Sequence, residues 1–220
     1  MVILTDLSEV LIRGFYGTEK IVGNRYSKKV GERFWQRHLD TNDRFQDLLR
    51  GRMLEDEYWY YFLDTNEKWP FGVEEVESMF SENMHQLLDG GDALTVYQRI
   101  IRYPKWLSGP KLMAKRTPDI YIVSDHIAER LDEIKEAHPR VFSAVKRQFW
   151  SCELGKIKQD PDFFPTLLEI TGLKPDEAIF IDDSIENVIS AGKSGINGIC
   201  YHGPDQLAKS LARHGFVIAP

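Results

Sequence analysis

The chain has 220 residues, of which 42% are hydrophobic and 28% charged, and its formal net charge is −6. That length can bury a sizeable core, as one domain or as a domain with an insertion. The acidic balance argues against a general binder of nucleic acid or anionic membrane, since either needs a basic face. No apolar run approaches the ~20 residues that span a bilayer, and the opening residues show no basic, apolar or cleavable leader pattern. Cys152 and Cys200 are too few for a disulfide framework and wrongly spaced for zinc. The expected compartment is the cytoplasm.

In chain order, Val2-Ile3-Leu4-Thr5 is a short apolar run that delivers Asp6 as it ends, the pattern of a buried parallel strand. A glycine-bearing turn follows at Gly14 and Gly17. From about 25 to 88 the pattern is helical and dense in aromatics. Val30, Phe34 and Trp35 share one face, Leu54, Tyr58, Tyr61 and Phe62 a second, and Val73, Val76, Phe80, Met84 and Leu87 a third. Gly51 and Trp69-Pro70-Phe71-Gly72 separate these helices. Trp35, Tyr58, Trp59, Tyr60, Tyr61 and Trp69 read as packing of this block rather than as a substrate cage.

The stretch 92–118 reads as a helix around Val96, Tyr97, Ile100 and Ile101, then a loop rich in Lys, Pro and Gly. From Ile120 onward, strand-like and helical runs alternate, as in βαβ units. Ile120-Tyr121-Ile122-Val123 ends in Ser124, and Ile127, Leu131 and Ile134 stripe the next helix. A later helix has Asp160 as expected N-cap, Pro161 at its first position and Gly172 as its stop. Ala178-Ile179-Phe180-Ile181 ends in Asp182-Asp183, Ser184 caps a helix with Val188, Ile189 and Ala191, 197–201 is a strand, and Leu207 and Leu211 mark a last helix. The expected fold is α/β, a doubly wound Rossmann-like parallel sheet with an inserted α-helical cap. The core takes residues 1–14 and 91–220, and the cap 15–90.

Ligands of such sheets bind beyond the carboxyl ends of the strands, where Asp6, Ser124, Asp182 and Asp183 fall, joined by Lys158. Three carboxylates, a hydroxyl and an ammonium can hold a divalent cation and a phosphoryl group. In that reading Asp6 is the nucleophile. Mg²⁺ is held by Asp6 and Asp183, by Asp182 directly or through water, and by the Ser8 carbonyl. Ser124 and Lys158 bind phosphoryl oxygens, and Asn187 orients Asp183. Singly, each residue has a plainer reading: a strand-end Asp or Ser caps a helix, and a lone Lys is a solvated charge. Lys156 is the register alternative to Lys158, and the Asp160-Pro161 helix start favours Lys158.

Asp6-Leu7-Ser8, Ser124, Lys158-Gln159-Asp160-Pro161 and Asp182-Asp183-Ser184-Ile185-Glu186-Asn187 resemble the four ordered motifs of the haloacid dehalogenase superfamily. The helical block after the first motif is similar to that superfamily's C1 cap. The resemblance implies a small phosphatase-like hydrolase, dependent on Mg²⁺, acting on a small phosphorylated metabolite through an aspartyl-phosphate, with no nucleic-acid or membrane partner. One departure matters: family phosphatases place a second Asp two residues after the nucleophile as general acid and base, and this chain has Ser8. Glu9 and His126 are the nearby groups able to substitute. Gln159 replaces a common proline and bears on loop stiffness. Alternatives are a metal- and phosphate-binding relative with impaired turnover, a 2-haloacid dehalogenase, and a receiver module, whose motif order differs. Substrate identity and oligomeric state stay open.

Overall fold

A computed structural model describes residues 1–14, 17–66, 68–87, 93–101 and 118–218. Its centre is built on strand alternation. The first strand, β1 (Val2–Thr5), sends Val2 and Leu4 to one face and Ile3 to the other. Five helices follow: α1 (Thr18–Arg25), α2 (Lys28–Asp40), α3 (Asn42–Leu49), α4 (Glu55–Leu63) and α5 (Val73–Met84). Then come α6 (Ala93–Gln98), the short β2 (Ile100–Ile101) and β3 (Asp119–Ser124). Helices α7 (Leu131–Ala137) and α8 (Pro139–Ala144) lead to β4 (Arg147–Trp150), α9 (Ser151–Leu154) and α10 (Phe163–Thr171). The chain ends with β5 (Ala178–Asp182), α11 (Ile185–Lys193), β6 (Asn197–Cys200), α12 (Pro204–Arg213) and β7 (Val217–Ile218).

The main sheet is parallel, in the order β4-β3-β1-β5-β6. Both faces are covered. Phe163, Phe164 and Leu167 of α10 and Ala191 of α11 pack on the face that carries Leu4, Tyr121, Val123 and Phe180. The other face, with Ile3, Ile122, Ile179 and Ile181, is continuous with the core of the helical block and with Leu207 and Leu211 of α12. This is the doubly wound α/β arrangement expected from the sequence. Among the described residues no helix is long and apolar enough to cross a membrane.

Three local expectations need correction. Ile100 and Ile101 do not extend a helix; they pair antiparallel with Ile218 and Val217, as β-branched residues in a two-stranded ribbon do. Asp160 does not cap α10. Its carboxylate is engaged by Ile157 N–H and by Arg50, so the helix begins later, with Asp162 in the cap position. The buried face of α4 is Glu55, Tyr58, Trp59 and Phe62, leaving Leu54 and Tyr61 exposed. Strand β4 carries no sequence-based expectation, because Arg147 and Gln148 make half of it polar at the sheet edge. The expected limits of the inserted block near 15 and 90, and the Lys-, Pro- and Gly-rich stretch 102–117, lie outside the described residues.

Candidate active site

Strand order brings the site together. β1 lies between β3 and β5, in the registers Thr5↔Ile122 and Thr5↔Ile181, so all three strands deliver their next residues to one edge. Asp6 N–H donates to Ile181 O at 2.8 Å, fixing the exit of the central strand. The chain then turns tightly: Leu11 and Ile12 N–H both bond Leu7 O, and Glu9 sits at φ 58°. That left-handed backbone is uncommon for a residue other than glycine. It is held by Glu9 N–H on Ile12 O and by the Glu9 carboxylate accepting Gly14 N–H at 2.8 Å.

Lys158 is 2% exposed, and its Nζ stands 2.9 Å from Asp6 Oδ1 and 2.7 Å from Asp182 Oδ2. The Asp182 carboxylate also accepts Ser184 N–H at 2.8 Å and Asn187 Nδ2 at 3.1 and 3.2 Å. Asn187 therefore orients Asp182, where the expectation was Asp183. A side chain one turn into α11 reaches back to the residue that ends the strand. Asp6, Asp182 and Asp183 offer oxygens within 4.8 Å of one another.

A cavity of about 170 Å³ opens over this edge. Asp6, Ser8, Lys158, Asp183 and Asn187 line it; Ser124 and Asp182, both fully buried, lie outside the lining. The helical block supplies the opposite wall through His38, Asn42, Phe45, Gln46, Leu49, Phe80 and Met84. None of the six aromatics set aside as packing lines the cavity. Asn42 with Gln46, and Phe45 with Leu49, are pairs one turn apart on α3, so one helix face presents an amide pair beside an apolar pair.

Asp125 is a site residue that the sequence reading passed over. It lines the cavity, and its carboxylate accepts Lys158 N–H at 3.1 Å. Its only signal in the sequence is its place directly after Ser124, at the end of an apolar run. The two groups expected to substitute for a second Asp are poorly suited. Glu9 is engaged in the turn, and burial pushes His126 down to about 4, leaving it neutral with Nδ1 3.1 Å from Ile127 O.

The electrostatics favour a cation. Burial lifts the Asp6 carboxyl well above the usual range; Lys158 opposes the shift, and Asp182 and Asp183 reinforce it. Burial and then Asp182 push Asp183 up to about 6, and burial pushes Asp125 up to about 6. Burial disfavours the Lys158 ammonium, but Asp182, Asp6 and Asp125 outweigh it and raise its pKa well above the ordinary value. Four carboxylates thus surround one ammonium, and the excess negative charge is relieved by protons or by a metal. The donors are hard oxygens, as Mg²⁺ prefers. Asn187 Oδ1, buried without a partner among the described residues, adds an acceptor suited to a hydrated ion. The site fits Mg²⁺.

No family model matches the chain. The flavin mononucleotide hydrolase 1 of Arabidopsis thaliana chloroplasts is 39% identical over 71 residues, 32% of this chain but only 29% of that protein. Solved structures match nearly end to end. A predicted HAD-like family hydrolase from Porphyromonas gingivalis superposes with a TM-score of 0.65 at 20% identity, covering 96% of each chain. A HAD family enzyme from Bacteroides thetaiotaomicron, in complex with magnesium and inorganic phosphate, gives 0.60 at 19% identity over 91% of this chain and 93% of that one. The L-2-haloacid dehalogenase of Xanthobacter autotrophicus gives 0.61 at 14% identity over 100% and 85%. The chain shares the fold of these haloacid dehalogenase (HAD) family structures.

Proposed function

We propose that this chain is a Mg²⁺-dependent phosphatase that moves the phosphoryl group of a small monoester first to Asp6 and then to water. The observation that carries the reading is the placement of Asp6. It is 4% exposed at the end of the central strand, in ion contact with Lys158 and clustered with Asp182 and Asp183. An Asp6 oxygen attacks phosphorus, the ester oxygen departs, and water then displaces phosphate from the acyl phosphate and regenerates Asp6. Asp6 and Asp183, with the Ser8 carbonyl and Asp182 beside them, are the residues that would hold Mg²⁺. The bound ion neutralises charge on the carboxylates and on the phosphoryl oxygens. Lys158, kept protonated, supports the charge on the transferring group, with Ser124 behind it at the strand end. The helical block serves as a cap that shields the reaction from water and shapes the pocket.

The cavity also speaks to the substrate. Among the described lining residues Lys158 is the one lysine or arginine, and Asp6, Glu9, Asp125 and Asp183 surround the same space. A second anionic group on the substrate would meet repulsion. Phe45, Leu49, Phe80, Met84 and Ile127 offer apolar contact, with Asn42 and Gln46 as neutral hydrogen-bonding groups. The substrate class is therefore a phosphate monoester with a neutral, partly apolar body. Flavin mononucleotide, in the name of the Arabidopsis relative, is an ester of this kind and belongs in the test.

The dehalogenase likeness is one of fold alone, and displacement of halide needs no metal, which leaves Asp183 without a purpose. Ser8 supports a different second reading, a metal- and phosphate-binding relative with impaired turnover, because a serine hydroxyl is a poor general acid. Phosphate release from a monoester panel, with and without Mg²⁺ and with Asp6→Asn as control, tests the proposal. Mg²⁺-dependent release lost in Asp6→Asn supports it, and no release from any ester supports the impaired relative.

A further inference from the structure

Helix α3 does more than line the cavity; its C-terminal end is fastened to the segment that carries Lys158. Arg50, the C-cap of α3, forms a two-pronged contact with Asp160: Nε to Oδ2 at 2.9 Å and Nη2 to Oδ1 at 2.6 Å. The side chains are 13% and 22% exposed, so water screens the pair only partly. Asp160 Oδ2 also accepts Ile157 N–H at 3.0 Å, and Asp160 N–H bonds Ile157 O at 2.9 Å. These two bonds close the Ile157–Asp160 turn, and Lys158 sits inside it.

Neighbouring contacts fasten the end of α3 to α9, the helix just before that turn. Ser151 Oγ donates to Leu49 O at 2.5 Å and accepts His126 N–H at 3.0 Å. Gly51, at φ +68°, lies so close to the chain that a Cβ there would stand 2.7 Å from Cys152 O. A second ion pair, Arg130 with Glu55 at 2.7 Å, also joins the helical block to the sheet, but on the α4 side and away from the Lys158 turn.

We propose that Arg50 is a positioning residue for Lys158, acting through Asp160, so that a side chain of the helical block completes the catalytic half of the site. The functional part of this inference rests on the phosphatase reading. Lys158 reaches Asp6 and Asp182 from a turn with no regular secondary structure, tied by two carboxylates: Asp125 at Lys158 N–H and Asp160 at Ile157 N–H. Arg50 fixes the Asp160 carboxylate in position and orientation with a planar fork, which a lysine ammonium cannot reproduce. Loss of the fork should loosen the turn without removing any group that touches the metal or the phosphoryl oxygens.

The test compares Arg50→Ala, Arg50→Lys and Glu55→Gln with wild type in two measurements. Amide hydrogen exchange reads the Ile157–Asp160 turn directly and needs no turnover. Arg50→Ala should speed exchange there by about 10-fold or more, the effect of weakening a charge-assisted bond. Arg50→Lys should fall between Arg50→Ala and wild type, and Glu55→Gln should leave that turn unchanged while lowering thermal stability. Steady-state kinetics with acetyl phosphate, too small to touch α3, should show kcat lower by about 10- to 100-fold in Arg50→Ala with little change in KM. Recovery in Arg50→Lys should be partial, and Glu55→Gln should stay within about twofold of wild type. Unchanged exchange in Arg50→Ala overturns the proposal. Equal losses of kcat in Arg50→Ala and Glu55→Gln overturn it too, since general docking then explains both. A wild type inactive on acetyl phosphate and on every monoester of the panel defeats the phosphatase reading instead, and the exchange arm still decides whether Arg50 orders the turn.

Discussion

Asp183→Asn should make the metal-free protein more stable while abolishing its response to Mg²⁺. The Asp183 carboxyl is pushed from its ordinary 3.8 to about 6, chiefly by burial and by the neighbouring Asp182. That difference corresponds to about 3 kcal/mol by which the fold disfavours ionised Asp183 at neutral pH. The sign follows from linkage. A carboxyl whose pKa is raised by folding contributes its stability when protonated, and loses it as pH rises through the folded value. Wild type and variant should therefore match near pH 4. They should separate between pH 4 and 6, with the variant ahead above pH 6.

For a chain of this length each kcal/mol is worth about 2–4 °C, so the variant should melt up to about 10 °C higher at pH 8 without metal. Mg²⁺ reverses the order. At 100 times its dissociation constant it stabilises wild type by about 2.7 kcal/mol, whereas the variant loses one of the clustered carboxylates and should shift little. Differential scanning fluorimetry at pH 4, 6 and 8, with EDTA or with millimolar-range Mg²⁺, resolves all four curves. A variant that melts below wild type in EDTA at pH 8 would refute the electrostatic account. One that keeps the full Mg²⁺ shift would remove Asp183 from the metal site.

Asp6→Asn should end turnover with the fold intact, and a beryllofluoride adduct should appear on Asp6 of wild type in a crystal structure; full activity in the variant would sink the nucleophile assignment. Phe45→Ala and Asn42→Ala should change the ratio of activities on apolar and sugar monoesters more than they change the Mg²⁺ shift, and an unaltered ratio would count against the cap role of α3. Gly51→Ala should lower the melting temperature, because its Cβ would stand 2.7 Å from Cys152 O at a φ of +68°; an unchanged melting curve would contradict the tight docking of α3. Ser8→Asp should raise turnover on alkyl phosphates more than on aryl or acyl phosphates, within the ~10²–10⁴-fold range of acid–base catalysis. If the two substrate classes gain equally, proton transfer is not what Ser8 limits.

Much of the sheet was legible because its central strands are buried on both faces. Continuous apolar runs ending in Asp6, Ser124 and Asp182 mark three adjacent strands whose side chains alternate between two cores. β4 escaped for the opposite reason. At the sheet edge it needs only Phe149 and Trp150 inside, and Arg147 and Gln148 look like loop. Helix ends failed where a long-range partner captured the capping group. Asp160 has every local mark of an N-cap, yet Arg50, 110 residues away in the chain, takes its carboxylate. Spacing predicts what a residue does for its neighbours in sequence, and this carboxylate is used by a neighbour in space.

The same distinction runs through the site. The sequence marks Asp6, Lys158, Asp182 and Asp183 because each closes or follows an element, but it does not divide their work. The division comes from which side chain is saturated. Asp182 has its oxygens on Lys158, Asn187 and Ser184 N–H, and lies outside the cavity lining. Asp183 lines the cavity with its ionised form disfavoured. A carboxylate already surrounded by donors has little to gain from a cation, whereas one lifted to about 6 has much to gain. On that ground Asp182 is expected chiefly to anchor Lys158, and Asp6 and Asp183 to carry most of the metal affinity. Asp182→Asn should then weaken turnover through Lys158 more than it weakens the Mg²⁺ shift, the reverse of Asp183→Asn. Running both variants in the same fluorimetry and phosphate-release assays separates the two adjacent carboxylates. Equal loss of the Mg²⁺ shift in both would show that they act as one ligand pair.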